Sequence, residues 1–459
     1  MDYQEFLETK RISVEPCGFD VNKDELNPNM FDFQKDIVKW ALKKGKAALL
    51  TGCGTGKTIC ELSWSEKVVE HTGGDVLIIA PLSVVEQTKN EGVKFGTMPV
   101  NVCRTQADVK PGINITNYEM AEHFDHGHFV GVVLDESSIL KGYSSQTTKN
   151  MIEWFWNTPY KLICTATIAP NAYTEIATSC EFLGIMKRYE MLATYFVHDS
   201  GTDKGNKWRL KKSGSKRFWE FMATWAICFL NPKELDYDIE GYDLPQLNIK
   251  TVIVNSELID GEVVVIPAET LEERRFARKD SIEARTDKVL EIIGDSDEQF
   301  LIWVDYNDES AAIHRKIKDS TEIKGSDDPE VKAQASVDFA NGKIKTLISK
   351  PSIFGFGSNF QSCHNMIFCG LSDSEERFYQ AIRRCWRFGQ KEPVNVYIII
   401  SEREINVLNN INRKEEQIHE MQREMTMLMK DTILSEIRNT KRQTEDYKPN
   451  EGMNLPTWI

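Results

Sequence analysis

Short apolar runs alternate with polar, helix-patterned stretches along the chain between Gln34 and Cys164. The runs are Ala47 to Leu50, Val76 to Ile79, Val100 to Cys103, Val132 to Leu134 and Leu162 to Cys164. Most are β-branched or Leu-rich and bounded by turn residues, which predicts strands buried on both faces, as in the parallel sheet of an α/β fold. The run at Val100, interrupted by Asn101, is the weakest of them. A second series follows Leu244-Pro245: Ile249 to Val254, Phe300 to Val304, Thr346 to Ile348, Met366 to Phe368 and Val394 to Ile399. The same architecture is therefore expected twice. The acidic stretch Glu234 to Asp243 has little apolar periodicity and sets the boundary near residue 245. This gives an extension over 1–25, a first lobe over 26–245, a second lobe over 246–400, and a helix with a polar tail over 401–459. In that helix the apolar residues Ile411, Ile418 and Met425, and Met421 and Leu428, recur every seven residues, like a coiled-coil seam. We expect a brace packed against the second lobe of a monomer.

Composition narrows the class. A chain of 459 residues exceeds one ordinary domain of roughly 100 to 200 residues, so two or three are expected. With 41% hydrophobic and 27% charged residues it has the apolar mass to fill two cores. The ten cysteines are scattered and form no Cys-x-x-Cys pair, which predicts reduced thiols. The start of the chain is polar and acidic, and no run approaches the ~18 apolar residues of a membrane span. Neither secretion nor membrane insertion is expected, and the cytoplasm of a bacterial or phage-infected cell is the expected location. His123, His126 and His128 lack a nearby cysteine and are read as a helix end and polar loop rather than metal ligands. The net charge of −14 bears on the whole surface only, so it leaves room for a local basic groove.

Chemistry enters at Thr51-Gly-Cys-Gly-Thr-Gly-Lys-Thr58, directly after the first apolar run. Binding phosphate requires backbone N–H groups curled inward ahead of a helix N-terminus, and Gly54 and Gly56, flanking Thr55, allow that curl. Lys57 is placed to reach the β- and γ-phosphates of ATP, and the Thr58 hydroxyl to coordinate Mg²⁺. The strict P-loop pattern has glycine where this chain has Thr51, at the strand exit and away from the phosphates. Downstream, Val132-Val133-Leu134 runs into Asp135-Glu136-Ser137-Ser138. An acid at a strand terminus beside a P-loop can hold the metal and its neighbour can orient the attacking water, so Asp135 is assigned to Mg²⁺ and Glu136 to water. In the second half, Arg384 and Arg387 stand at i and i+3, share one helix face, and can both approach a phosphate held by the other lobe.

In this order the pieces resemble superfamily 2 helicases. Asp135-Glu136-Ser-Ser resembles their DExx box, and Gln34 looks like the glutamine that reads adenine. Ala80 to Val84 is similar to motif Ia, Ile115 to Tyr118 to motif Ib, Cys164 to Thr167 to motif III, and Leu301 to Trp303 to motif IV. Gly355-Phe-Gly357-Ser-Asn359 looks like motif V, which implies Gly357 at the nucleotide. Gln380-Ala-Ile-Arg-Arg384-Cys-Trp-Arg387-Phe-Gly-Gln390 is similar to motif VI in the form of the Swi/Snf branch, closest to compact phage and prokaryotic members. Leu371 to Glu376 departs from that branch, standing where chromatin remodellers carry Trp-Asn-Pro. The resemblance covers about residues 26 to 400 and implies two tandem RecA-like lobes hydrolysing ATP with Mg²⁺ in their cleft, to move on nucleic acid, with DNA favoured. An RNA helicase, or an ATP-latched module recruiting a protein partner, are the alternatives. For the track, the basic run Lys204 to Arg217 supplies Lys207, Arg209 and Lys211, with Trp208, Phe218 and Trp219 interleaved. By analogy Ser83, Thr116 and Lys350 stand where related proteins touch the sugar-phosphate backbone.

Overall fold

The computed structural model describes residues 14–166, 173–199, 207–256, 265–354, 358–372 and 374–438. In the first half, strands β1 (Lys46–Thr51), β2 (Val76–Ala80), β3 (Val100–Val102), β4 (Ile113–Asn117), β5 (Gly131–Asp135) and β6 (Tyr160–Thr165) pair in parallel. A separate antiparallel hairpin, β7 (Phe196–Asp199) and β8 (Lys207–Leu210), follows. The next strand, β9 (Ala226–Phe229), returns to the sheet beside β1, giving the order β3-β4-β2-β5-β6-β1-β9. Parallel neighbours need crossovers. Helix α1 (Asp32–Lys44) precedes β1, and the connections carry α2 (Lys57–Thr72), α3 (Leu82–Phe95), α4 (Gln146–Trp154), α5 (Ile176–Leu183), α6 (Arg188–Tyr195) and α7 (Ser215–Met222). The α2 and α3 helices both stop at a left-handed glycine, Gly73 and Gly96, where a side chain would be strained.

The second sheet contains β10 (Leu247–Val254), β11 (Phe300–Trp303), β12 (Ser320–Glu322), β13 (Thr346–Ser349), β14 (Asn365–Cys369) and β15 (Val394–Ser401). It is again parallel, in the order β10-β15-β14-β11-β13-β12. Its helices are α8 (Leu271–Asp280), α9 (Ile282–Ile293), α10 (Asn307–Lys316), α11 (Pro329–Ala340), α12 (Pro351–Phe354), α13 (Glu375–Ile382) and α14 (Ile405–Ile437). The molecule is thus a tandem of RecA-like α/β lobes. Residues 230–246 join the last strand of the first sheet to the first strand of the second.

Of the five strands that escaped the apolar pattern, β4, β7, β8, β9 and β12, two did so for identifiable reasons. In β4, Asn114 interrupts the run, and its buried amide bonds the backbone of Lys110 instead of facing water. The short β9 follows so closely on the aromatic α7 that the two read as one apolar segment. The aromatics Phe218 and Trp219 lie in the first-lobe core, while Trp208, on the hairpin, is 36% exposed.

The last helix corrects an expectation. Among its described residues, those at its start, Val407, Leu408 and Ile411, pack in the second lobe. Further on, Met421, Met425, Met429 and Ile433, spaced by four, enter the core of the first lobe. With 33 residues at ~1.5 Å each, α14 is about 50 Å long, enough to leave one lobe and lie across the other. There it rests on α7 and β9, and Glu436 pairs with Lys44 at 2.9 Å while Lys430 reaches Asp236 at 2.8 Å. Of the seven-residue seam, Ile411, Met421 and Met425 are buried, while Leu428 is 39% exposed. The brace ties both lobes together.

Two of the three histidines, His126 and His128, serve their loop. His126 stacks on Trp154 at 4.4 Å, and His128 Nε2 lies 2.7 Å from Asp75. All ten cysteines are free. Among the described residues no helix is long and apolar enough to cross a membrane.

Candidate nucleotide site

Strand β1 delivers the chain into the loop 51–58, where Gly54 (φ 83°) and Gly56 (φ 80°) adopt the left-handed conformation that glycine favours. A Cβ on Gly56 would lie 2.2 Å from Gln34 Nε2, so a side chain there would have to displace the Gln34 amide. Thr51, the departure from the strict pattern, is absorbed locally: its hydroxyl lies 2.8 Å from that of Thr55, which donates to the Gly52 carbonyl at 2.9 Å. Gln34 buttresses the loop, donating to the Thr55 carbonyl at 2.8 Å while its Oε1 accepts from the Phe31 N–H. The adenine-reading candidate is therefore also the residue that joins α1 to the loop. The Lys57 ammonium donates to the carbonyls of Thr51 and Gly52 at 3.2 and 3.1 Å, and Thr58 follows in the first turn of α2.

Asp135 closes β5 beside this loop, and its Oδ1 accepts from the Glu136 N–H at 2.9 Å. Glu136 has φ 50°, uncommon for a residue with a side chain, so the turn holds this carboxylate in a strained backbone. Its Oε2 accepts from Thr165 of the motif III segment at 3.5 Å. Burial raises both carboxyls, and Asp135, pressed also by the charge of Glu136, rises to about 7. Lys57 and Arg384 oppose the rise at Glu136.

A third acid was not anticipated. Glu61, one turn beyond Lys57 on α2, is fully buried, and its two oxygens make no hydrogen bond of normal geometry. Burial and then Asp135 push it well above the usual carboxylate range. The i, i+4 spacing from Lys57 was the available signal, but only the fold shows that this helix face meets β5.

The second lobe closes the site. Arg384 donates to the Gln380 carbonyl at 2.9 Å, to Gln380 Oε1 at 3.0 Å and to the Ser358 carbonyl at 3.2 Å, where Arg387 also donates. Burial lowers both guanidiniums, Arg387 to about 10 with Arg384 as the next cause. A Cβ on Gly54 would lie 3.3 Å from Phe388 N and 3.9 Å from Arg387 Cβ, so motif VI abuts the loop. Phe388 packs edge-on against Phe31 and beside Tyr242, joining the lobes on the Gln34 side. Gly357 lies outside the described residues.

The residues fit a Mg²⁺-bound nucleotide. Glycines curl the loop ahead of a helix N-terminus, and Lys57 and two arginines can meet phosphate charge. Thr58 and Asp135 are the hard oxygen donors that magnesium prefers.

The nucleic-acid candidates fare unevenly. Ser83 is exposed in the first turn of α3, and Lys350 is half-buried at the end of β13. Thr116, in contrast, is 1% exposed within β4, so the structure does not bring it to the surface. Arg209 is exposed on β8; Lys207 begins that strand, but its side chain lies outside the described set. Lys211 donates to the carbonyls of Ala193 and Thr194 at 2.8 Å and pins the hairpin to α6.

Comparison with known proteins adds one family. Residues 284–389 match the helicase conserved C-terminal domain. The matched segment includes α13 and both arginines, so it is the helicase-like lobe that faces the glycine loop of the first lobe. Among solved structures the chain is similar to a Sulfolobus solfataricus SWI2/SNF2 ATPase core in complex with dsDNA, with a TM-score of 0.42 and 16% identity over 91% of this chain and 98% of that one. No curated protein matches the chain.

Proposed function

We propose that this chain is a DNA-dependent ATPase of the Swi/Snf-like kind that hydrolyses ATP between its lobes and translocates on DNA. The observation that carries the reading is the approach of Arg384, Arg387 and Phe388 to the phosphate loop of the opposite lobe. The Swi/Snf form of motif VI supports DNA over RNA as the track.

In this reading Lys57 neutralises the β- and γ-phosphates, and the N–H groups from Gly54 to Thr58 cradle them. Magnesium, held by Thr58 and Asp135, would supply charge neutralisation at the phosphates and draw Asp135 to its ionised form. Glu136 orients the attacking water and accepts its proton, its orientation maintained by the Asp135 turn and Thr165. Arg384 and Arg387 stabilise the charge that develops, and because they belong to the second lobe they act only while the cleft is closed. Loss of the γ-phosphate removes their partner, the cleft relaxes, and the lobes take one step.

The test is steady-state ATP turnover by the full chain with single-stranded and duplex DNA and RNA. Stimulation by DNA above RNA is expected, with Lys57→Ala abolishing turnover and Glu136→Gln keeping ATP bound without hydrolysis. Stimulation by RNA alone would make the chain an RNA-dependent enzyme. Tight ATP binding with no turnover on any polymer would make it an ATP-latched binding module.

A further inference from the structure

We propose that Glu376 is a positioning residue, and that its hydrogen bond with Ser138 latches the second lobe onto the first in the register that brings Arg384 to the phosphate loop. This inference rests on the hydrolytic reading above. The Ser138 hydroxyl donates to Glu376 Oε1 at 2.7 Å across the cleft, a short charge-assisted bond between half-buried partners. By comparison, the Cys53 thiol approaches Gln380 Oε1 only at 3.8 Å.

The partners stand at informative places. Ser138 is the fourth residue of the Asp135-Glu136-Ser137-Ser138 segment, two beyond the water-orienting candidate. Glu376 lies in the first turn of α13, where the helix dipole favours a carboxylate, behind an N-cap in which Ser374 accepts from the Arg377 N–H. From Glu376 the i+4 spacing reaches Gln380 on the same face of α13, and Arg384 follows in the turn just past the helix end at Ile382. Gln380, and then Arg384, whose guanidinium donates to the Gln380 carbonyl and side-chain oxygen, therefore stand over the loop. Pinning the start of α13 to the acidic turn thus fixes where its arginine end falls. The same bond explains the departure at Leu371 to Glu376: in this chain the segment is a helix cap followed by an acidic first turn that reaches across the cleft. Glu376 also lies close enough to Glu136 to act on its charge, so truncating Glu376 alone would mix two effects. Ser138 separates them.

A double-mutant cycle on the full chain tests the latch, with kcat and KM for ATP measured at saturating duplex DNA. Ser138→Ala and Glu376→Ala are each expected to lower kcat about tenfold, the loss of one hydrogen bond to a charged group, with KM within about twofold. The double variant should fall no further than the lower single, and Glu376→Gln, which keeps an acceptor for Ser138, should recover most of the turnover. Should Glu376→Ala fail to fold, Ser138→Ala and Glu376→Gln carry the test by themselves, the first expected to lose kcat about tenfold and the second to keep most of it. Multiplicative losses, normal turnover in Ser138→Ala, or a change in KM in place of kcat would overturn the latch. A wild-type chain without DNA-stimulated turnover would instead overturn the hydrolytic reading beneath it.

Discussion

At the scale of single residues the molecule uses buried charge in two ways. Around the phosphate loop, Glu61, Asp135 and Glu136 face Lys57 and Arg384, and burial pushes the acids up and the arginines down. Arg384→Ala and Arg387→Ala should each lower turnover by ~10³ or more, the scale of arginine fingers, while nucleotide affinity changes little. Stopped-flow binding alongside turnover checks the contrast, and equal losses in both would mean that the arginines bind ground-state nucleotide. Elsewhere, Lys161 is fully buried in β6, its ammonium donating to the carbonyls of Trp156 and Phe182 at 3.3 and 2.8 Å. Burial, with Lys46 adding to it, pulls this group from 10.5 down to about 7. Above that pH the folded chain has released a proton that the unfolded chain retains until about 10.5, so Lys161 makes stability rise with pH across this window. The gain is at most ~1.4 kcal/mol per pH unit. Urea melts of wild type and Lys161→Met from pH 6 to 9 should show wild type gaining on the variant as pH rises, and parallel curves would place the group at its ordinary value.

Among the elements, α14 carries the least expected role. Its methionine stripe completes the first-lobe core although it is the last helix of the chain, so that core is shared between distant segments. Met425 and Met429 are both 0% exposed, and changing either to Ala should cost ~2–5 kcal/mol, whereas Leu428→Ala should cost little. Chemical denaturation measures the difference. A fragment ending near residue 245 would lack this helix and leave α7 and β9 uncovered. We expect such a fragment to expose apolar surface to a hydrophobic dye, and a peptide spanning 405–438 to suppress that signal. A fragment stable without the peptide would reduce α14 to an external strap. Sequence periodicity revealed a long amphipathic helix but not its partner, because apolar spacing specifies a face and says nothing of what covers it.

For the whole molecule the net charge of −14 makes the nucleic-acid track a question of distribution. Lys212, Lys216 and Arg217 are exposed, while Lys211 is pinned to α6, so the informative variant reverses the first three to Glu and spares Lys211. If they contact phosphate, the slope of log K against log salt on duplex DNA should shrink by roughly two to three units, with DNA-free turnover unchanged. An unchanged slope would make them a solvated edge and turn attention to Ser83 and Lys350.

The linear chain already carried the features that depend on neighbours within one element. Strand runs, the glycine loop with Lys57 and the acids ending β5 follow from local spacing, because period and turn chemistry are local properties, whereas the helix face expected to carry Arg384 and Arg387 does not form, since α13 ends at Ile382 and both arginines lie in the turn beyond it. What it could not carry were contacts between elements far apart in sequence. Glu61 matters because α2 lies against β5, Glu376 because α13 faces the turn after β5, and Met425 because a helix leaving one lobe lands on the other. Thr116 failed as a surface candidate for the same reason, since its strand runs inside the sheet between two others. Each of these outcomes was set by which surfaces could bury together once both sheets had formed, and burial is a property of the packed whole.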